Sequence, residues 1–450
     1  MSLVIMKFGG TSVGDAANMR RVGELVREAL PQGPVVVLSA MSGVTNALLA
    51  ASTAAEGGKL SEALEKVAEI KRKHLAAAAE LFGGEAPAAL DAELDKRVDE
   101  LKLLVRGVTL LRELSPRSAD AIASFGERLS TLVFTAHLEA QGVPVTRVDA
   151  RTVMRTDDRF GRARPDEAAI RELAAALLVP HAGPGRAVVT QGYVGATEAG
   201  VTTTLGRGGS DYSAALLGAA IDASEVQIWT DVEGVFTGDP RLVPEAQHIE
   251  RLSFAEAAEL ASFGAKVLHP ATIQPAVRAG IPVSVRHTER PGGRFTTITA
   301  EVNSGRPVTA LASRSGITVI TVTSTRMLEN SGFLERLFEV FGRHQIDVDL
   351  IATAEVSVSM TVPSDAPIKP LLAELGEFSS VTVAEGRAIV AVVGERLKHT
   401  AGLSAKVFGA IEGINVEMIS MGANEINLSL VVEAAHVPAV IERLHKALFE

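Results

Sequence analysis

Over residues 1–300, short apolar runs alternate with longer stretches of helical periodicity, which is the pattern of a parallel α/β domain. Val35–Leu38, Val145–Val148, Ala187–Thr190 and Val226–Trp229 read as strands. Their unbroken apolar character predicts a sheet covered by helices on both faces. From Leu60 to Leu114 the period is purely helical. Leu60, Leu64, Val67, Leu75, Ala78 and Phe82 share one face, and Leu90, Leu94, Val98, Leu101, Val108 and Leu111 share another. Gly83-Gly84 and Pro87 lie between them, so this excursion (60–114) is expected to be a helical hairpin packed on the lobe.

Beyond the connector Val302–Pro307 the pattern becomes an internal repeat. Gly332 and Phe338 answer to Gly402 and Phe408, and Ile346-Asp347-Val348-Asp349-Leu350-Ile351 answers to Ile414-Asn415-Val416-Glu417-Met418-Ile419. Val356, Ser359, Met360 and Val362 then match Ile426, Ser429, Leu430 and Val432. Each copy reads strand, helix, strand, strand, helix, most of a ferredoxin-like unit. The first copy closes with a strand near Val381–Val383, but the second has none, and an open sheet edge invites association. Val308–Ala312 is expected to lend that strand. The division is therefore an α/β domain over 1–300 and a region of two interlocked units over 301–450, about 314–385 and 386–450.

Composition narrows the chemistry. A chain of 450 residues with 47% hydrophobic residues builds more than one core. The formal charge of −10 argues against nucleic acid as a partner. The absence of cysteine removes thiol nucleophiles, zinc–thiolate sites and iron–sulfur clusters. With neither an apolar run of membrane-spanning length nor a basic leader before Leu3, a cytoplasmic protein is expected.

Two glycine loops carry the candidate chemistry. Lys7-Phe-Gly-Gly-Thr-Ser-Val13 follows the first strand, where Gly9 and Gly10 let backbone N–H groups approach an anion and Lys7 supplies a point charge. It is not a Walker loop, and an ordinary strand-to-helix turn explains it equally well. Thr202-Thr-Thr-Leu-Gly-Arg-Gly-Gly-Ser-Asp211 opens a helix over Tyr212–Ala220, with Ser210 and Asp211 as expected caps. Capping does not explain Arg207 among three glycines, a residue suited to bidentate carboxylate or phosphate binding. Together the loops read as a phosphoryl-transfer site.

These loops, with Trp229-Thr-Asp231 and Phe263-Gly-Ala-Lys-Val-Leu-His-Pro270, make the chain resemble the aspartate kinases, nearest their lysine-sensitive monofunctional branch. The resemblance covers essentially the whole chain. It implies the amino-acid kinase fold, a mainly parallel sheet sandwiched by helices, followed by two ferredoxin-like ACT units. It further implies that Lys7 neutralises charge on the transferring group and Asp211 holds Lys7. Arg207 would clamp the aspartate α-carboxylate, Glu127 would accept its ammonium, and Ser39, Thr45, Tyr193 and Ser210 would line the substrate. ATP would meet Lys7, Gly9, Gly10, Thr230, Asp231, Phe236, Arg241 and Lys266, with Mg2+ carried on its phosphates and no protein group assigned as a metal ligand. An amino-acid effector, lysine, would meet Met327, Asn330, Phe333, Leu334, Asp347, Val348, Asp349 and Glu355. The ACT units would join a homodimer or homotetramer. Serine at Ser124 and phenylalanine at Phe236 stand where many relatives carry histidine and tyrosine.

Phosphoryl transfer to an ionised carboxylate needs positioning and spread positive charge, without a strong base. Two other readings are a kinase for another amino acid such as glutamate, and a silent amino-acid sensor. The triple threonine and the repeat weigh against the first; the presence of Lys7, Arg207 and Asp211 weighs against the second. Glu256 and Glu259 are expected on a solvated helix face, Trp229 in the core, and His269 in a cap or packing role.

Overall fold

The computed structural model describes residues 3–264, 270–302, 306–327 and 332–450. The chain divides into two compact units. One comprises Met1–Val235, Glu250–Phe254 and Val267–Glu301; the other comprises Phe236–Ile249, Ala255–Lys266 and Val302–Glu450.

The first unit is built on an eight-stranded sheet. Its spatial order is Arg251–Ser253, Thr296–Thr299, Val283–His287, Glu225–Thr230, Val4–Phe8, Pro34–Leu38, Ala187–Gln191, Val145–Arg147. Every pairing is parallel except Val283–His287 against Thr296–Thr299. Val4–Phe8 and Pro34–Leu38 are buried at every position, as strands covered on both faces must be. Trp229 is in the core, stacked on Phe8 with ring centroids 5.8 Å apart. Val145–Arg147 departs from expectation: it is the sheet edge, so its residues are half-buried or exposed.

The excursion forms the helices Leu60–Leu81 and Ala88–Leu111. The first buries Ala63, Val67, Ile70, His74, Ala77 and Ala78, while Leu60 is exposed and Leu64 and Leu75 are half-buried. Small alanines let the helices approach closely, so the interface lies on a face that looks weakly hydrophobic in sequence. The second helix buries Leu90, Leu94, Val98, Leu101, Val105 and Val108, but Leu111 is 74% exposed. Buried His74 gives Nδ1 to the Ile70 carbonyl at 2.8 Å, and burial drives its pKa down to about 4, so the ring is neutral.

The second unit has a six-stranded sheet ordered Ile351–Thr353, Ser357–Pro363, Ala310–Thr323, Ser380–Val393, Asn427–Glu433, Met418–Met421. Its two central strands have 14 residues each and pair antiparallel, with register shifts near Ser315 and Ile317. One half of that pair backs a core of Ile320, Val322, Phe333, Leu337, Val358 and Leu371. The other half backs a core of Val390, Val392, Leu428, Leu430, Val440 and Leu444. Ala310–Ala312 lie opposite Ala391–Val393, and Val308 and Leu311 enter the later core. The strand missing from the second repeat thus comes from the segment just after the connector.

Two further segments are built into this unit. Val243 packs in the later core, Thr237 Oγ1 lies 2.8 Å from His445 Nε2, and the Leu311 N–H donates to the Thr237 carbonyl at 2.8 Å. Glu256 and Glu259 are not on a solvated face. Glu256 is buried and accepts from the Thr309 hydroxyl, and Glu259 accepts from the Asn424 and Asn427 amides at 2.6 and 2.9 Å. Their helix is covered because it belongs to this unit. Among the described residues, no helix is long and apolar enough to cross a membrane.

Candidate active site

Chain turns at the carboxyl ends of parallel strands are where α/β sheets place ligands. In the first unit the turns after Val4–Phe8, Pro34–Leu38 and Ala187–Gln191 meet there around a cavity of about 620 Å³. Lys7, Gly9, Gly10, Ser39, Thr45, Glu127, Tyr193, Arg207, Ser210 and Asp211 all line it. Every residue the sequence assigned to catalysis or to the substrate is therefore on one surface.

Close packing explains the glycines. A Cβ on Gly10 would stand 2.9 Å from the Ala40 carbonyl oxygen, and one on Gly126 would stand 2.6 Å from the Ala40 Cβ. The loop following Leu38 is held from four directions. The Ser130 hydroxyl donates to the Ser39 carbonyl (2.8 Å), and the Ala40 N–H donates to Glu127 Oε1 (3.2 Å). The Ser42 N–H donates to the Gly10 carbonyl (3.1 Å), and Lys73 Nζ donates to the Ser42 carbonyl (2.5 Å). Lys73 thus ties the helical excursion to the cavity wall.

The second loop ends in the helix Gly209–Ala220, capped by Gly208 at φ +71°, a left-handed conformation that suits glycine. Ser210 and Asp211 lie in the first turn rather than at the cap, because the helix begins earlier than the sequence suggested. This aims the positive end of a three-turn helix into the cavity. Lys7 Nζ pairs with Asp211 Oδ1 at 2.7 Å, both side chains largely shielded. Glu127 is fully buried, and burial pushes its carboxyl up to about 8, against the hydrogen bond from Ala40 that favours ionisation. A carboxylate held in that state is poised to gain from an arriving cation. Burial also raises the Tyr193 phenol.

The other assigned residues are more scattered. Thr230 and Asp231 line a neighbouring cavity of about 410 Å³ that shares Ser42 and Lys73 with the wall just described. Phe236 packs edge-on to His248 at 5.5 Å, and Arg241 is exposed and clasped by Asp239, its guanidinium 2.6 Å from Oδ2; both belong to the second unit. Lys266 and His269 lie outside the described residues, as does Asn330. In the first ACT-like unit Phe333 is a core residue, edge-on to Phe378. Met327 and Val348 are half-buried, while Leu334, Asp347 and Glu355 are exposed. Asp349 is already paired with Arg314 at 2.8 Å.

Sequence reasoning missed the backbone of Ala40–Gly43, Gly161 and Asp120, the last holding the cavity wall from behind. The only sequence signal for Asp120 is a carboxylate among small and apolar neighbours in the helix Pro116–Ala123.

A lysine–aspartate pair and a helix start, facing one space at the strand ends, define a phosphotransferase of the amino-acid kinase class. The model of the amino acid kinase family matches residues 2–287, and that of an ACT domain matches residues 320–369 and 390–448. Over 456 aligned residues the chain is 42% identical to lysine-sensitive aspartokinase 3 of Escherichia coli, covering 100% of this chain and 99% of that protein. Two solved structures of that organism's aspartokinase III, one with lysine and aspartate and one with aspartate and ADP, each match at TM-score 0.85 over 100% of both chains. The chain belongs to the aspartokinase family.

Proposed function

We propose that the protein transfers the γ-phosphoryl group of ATP to the side-chain carboxylate of L-aspartate, giving 4-phospho-L-aspartate and ADP. This would open lysine, threonine and methionine biosynthesis, with feedback inhibition by lysine. The single observation that carries this reading is the cavity in which Lys7, Asp211, Glu127 and Arg207 converge. In this reading Arg207 clamps the α-carboxylate and buried Glu127 takes the α-ammonium, while Ser39, Thr45, Tyr193 and Ser210 shape the space between. A carboxylate oxygen of the substrate attacks the γ-phosphorus as the bond to the β–γ bridging oxygen breaks, and ADP departs with that electron pair. Lys7, held by Asp211, and the helix start at Gly208 neutralise charge spread over the transferring oxygens.

Gly9, Gly10, Thr230, Asp231, Phe236, Arg241 and Lys266 are assigned to ATP. Among the described residues no group of three or more His, Cys, Asp or Glu side chains is placed to hold a metal ion. Mg2+ would be brought in on the nucleotide phosphates with its own waters, where it would screen phosphate charge. Residues 1–300 are assigned as the catalytic domain and 301–450 as the regulatory region, in a cytoplasmic homodimer or homotetramer joined through the ACT units. Exposed Leu334 and Phe338 support a role in that contact.

Incubation with ATP, Mg2+ and hydroxylamine, with the acyl phosphate trapped as a hydroxamate, tests the reading. Product should depend on aspartate and fail with glutamate; the reverse would reassign the substrate. Lysine should suppress it and threonine should not.

A further inference from the structure

Asp120, on the helix Pro116–Ala123, is 4% exposed, and no step above uses it. Its carboxylate accepts the Gly161 N–H at 2.9 and 3.0 Å, the Thr204 N–H at 2.9 Å and the Thr204 hydroxyl at 2.7 Å. All three donors are neutral. Burial raises its pKa while these hydrogen bonds oppose the rise. An ionised carboxylate can satisfy all three donors at once because it only accepts. Asparagine could still meet these partners, its oxygen taking both N–H groups while its NH2 donates to the Thr204 hydroxyl, whereas alanine would leave three buried donors without an acceptor, a costly state.

Both partners of Asp120 shape the cavity. Gly161 lines it, and a Cβ on Gly206 would stand 3.0 Å from the Gly161 carbonyl oxygen. Thr204 ends the short strand Thr202–Thr204, immediately before Leu205-Gly206-Arg207. Its carbonyl accepts the Ala163 N–H at 2.9 Å, and the next residue, Leu205, donates its N–H to the Tyr193 carbonyl at 3.0 Å. One buried group therefore sets the spacing between the 161 turn, Tyr193 and the loop carrying Arg207.

We propose that Asp120 is a positioning residue for the amino-acid half of the site, clamping Gly161 and Thr204 so that Arg207 and Tyr193 meet the substrate. The inference rests on the aspartate-kinase reading above. Asp120 itself does not line the amino-acid cavity; of the residues it holds, Gly161 lines it and Thr204 leads into Gly206 and Arg207, which line it, and none of these lines the cavity containing Thr230 and Asp231.

The test is steady-state kinetics of the full chain by the hydroxamate assay, varying aspartate at saturating ATP and then ATP at saturating aspartate. Asp120→Ala should raise KM for aspartate about tenfold or more, with KM for ATP within about twofold, the size expected when buried donors lose their acceptor. Thr204→Val keeps the backbone donor and loses the hydroxyl, so it should shift the same parameter less, and Thr204→Ser should restore it. Equal changes in both KM values, or none, would reduce Asp120 to a folding residue and overturn the proposal. If Asp120→Ala loses its thermal transition, Thr204→Val decides by the same split. A wild-type protein without aspartate-dependent product would sink the functional reading and this inference with it. Wild-type activity with an unmoved KM ratio sinks this inference alone.

Discussion

The cavity of the first unit and the segment proposed to bind an effector in the second differ in how far their charged groups are already arranged. In the cavity Lys7 holds Asp211 at 2.7 Å, Glu127 holds the Ala40 N–H, and a helix start faces the same space. In the effector segment Asp349 is engaged by Arg314, Phe333 is turned into the core, and Asp347 and Glu355 face solvent. A transition state rewards groups that need no rearrangement as charge develops. An effector works differently, since it shifts an equilibrium only by binding one arrangement better than another. A segment whose carboxylate must exchange one cation for another suits that task.

The largest effect expected from breaking this contrast is at Lys7. Lys7→Ala should lower kcat by at least about a hundredfold, the scale for losing one preorganised charge, with the circular dichroism spectrum unchanged. Full turnover would show that the cavity's order is unrelated to phosphoryl transfer. Arg207→Ala should come next, raising KM for aspartate by roughly two orders of magnitude through loss of a charge-assisted carboxylate contact, and leaving KM for ATP nearly fixed.

Glu127 gives a pH signature. Its carboxyl is raised to about 8 by burial, so the folded chain keeps a proton that the unfolded chain releases near the ordinary glutamate value. Stability from this group therefore falls as pH climbs from about 4.5 through about 8. The ionised form that receives an ammonium grows over the upper part of that range. KM for aspartate should accordingly fall between about pH 6 and pH 8.5. Glu127→Gln should raise that KM and flatten its pH dependence; a sloping profile in the variant would assign the titration elsewhere.

The smallest effects should lie in the effector segment. Asp349→Asn should raise the half-inhibitory lysine concentration several-fold with kcat in the absence of lysine within about twofold, the range of typical allosteric couplings. Arg314→Ala, which frees that carboxylate, should move inhibition the other way. A fall in uninhibited kcat for either variant would erase the distinction between the two regions.

The amino-acid cavity was legible because close approach of backbone to an anion demands glycine, and Gly9, Gly10, Gly206, Gly208 and Gly209 announce it in sequence. The buried strands were legible as unbroken Val and Leu runs. What escaped was whatever depended on a neighbour distant in the chain. Ala63, Ala77 and Ala78 look indifferent until a second helix lies on them, whereas Leu60 and Leu111 look like core and stand at the margins. Glu256 and Glu259 read as solvated until Thr309, Asn424 and Asn427 arrive from elsewhere. Asp120 carries no motif at all, since its partners are two backbone N–H groups that any residue supplies and one threonine hydroxyl far along the chain. The lent strand Ala310–Ala312 was nonetheless foreseeable, because a repeat lacking one strand states what it needs.

That lent strand has a consequence for how the chain comes to be folded. During synthesis Ala310–Ala312 emerge long before Ala391–Val393, the residues they will lie against. Pairings so distant in sequence close late, because the intervening loop must be ordered before the contact rewards it. The first ferredoxin-like unit can assemble as it leaves the ribosome, while Val308 and Leu311 wait with their apolar side chains uncovered. The second unit, when made, finds its outer strand already anchored and has only to zip along it. Expressed without residues 308–312, it should misassemble, pairing its bare edge with another copy.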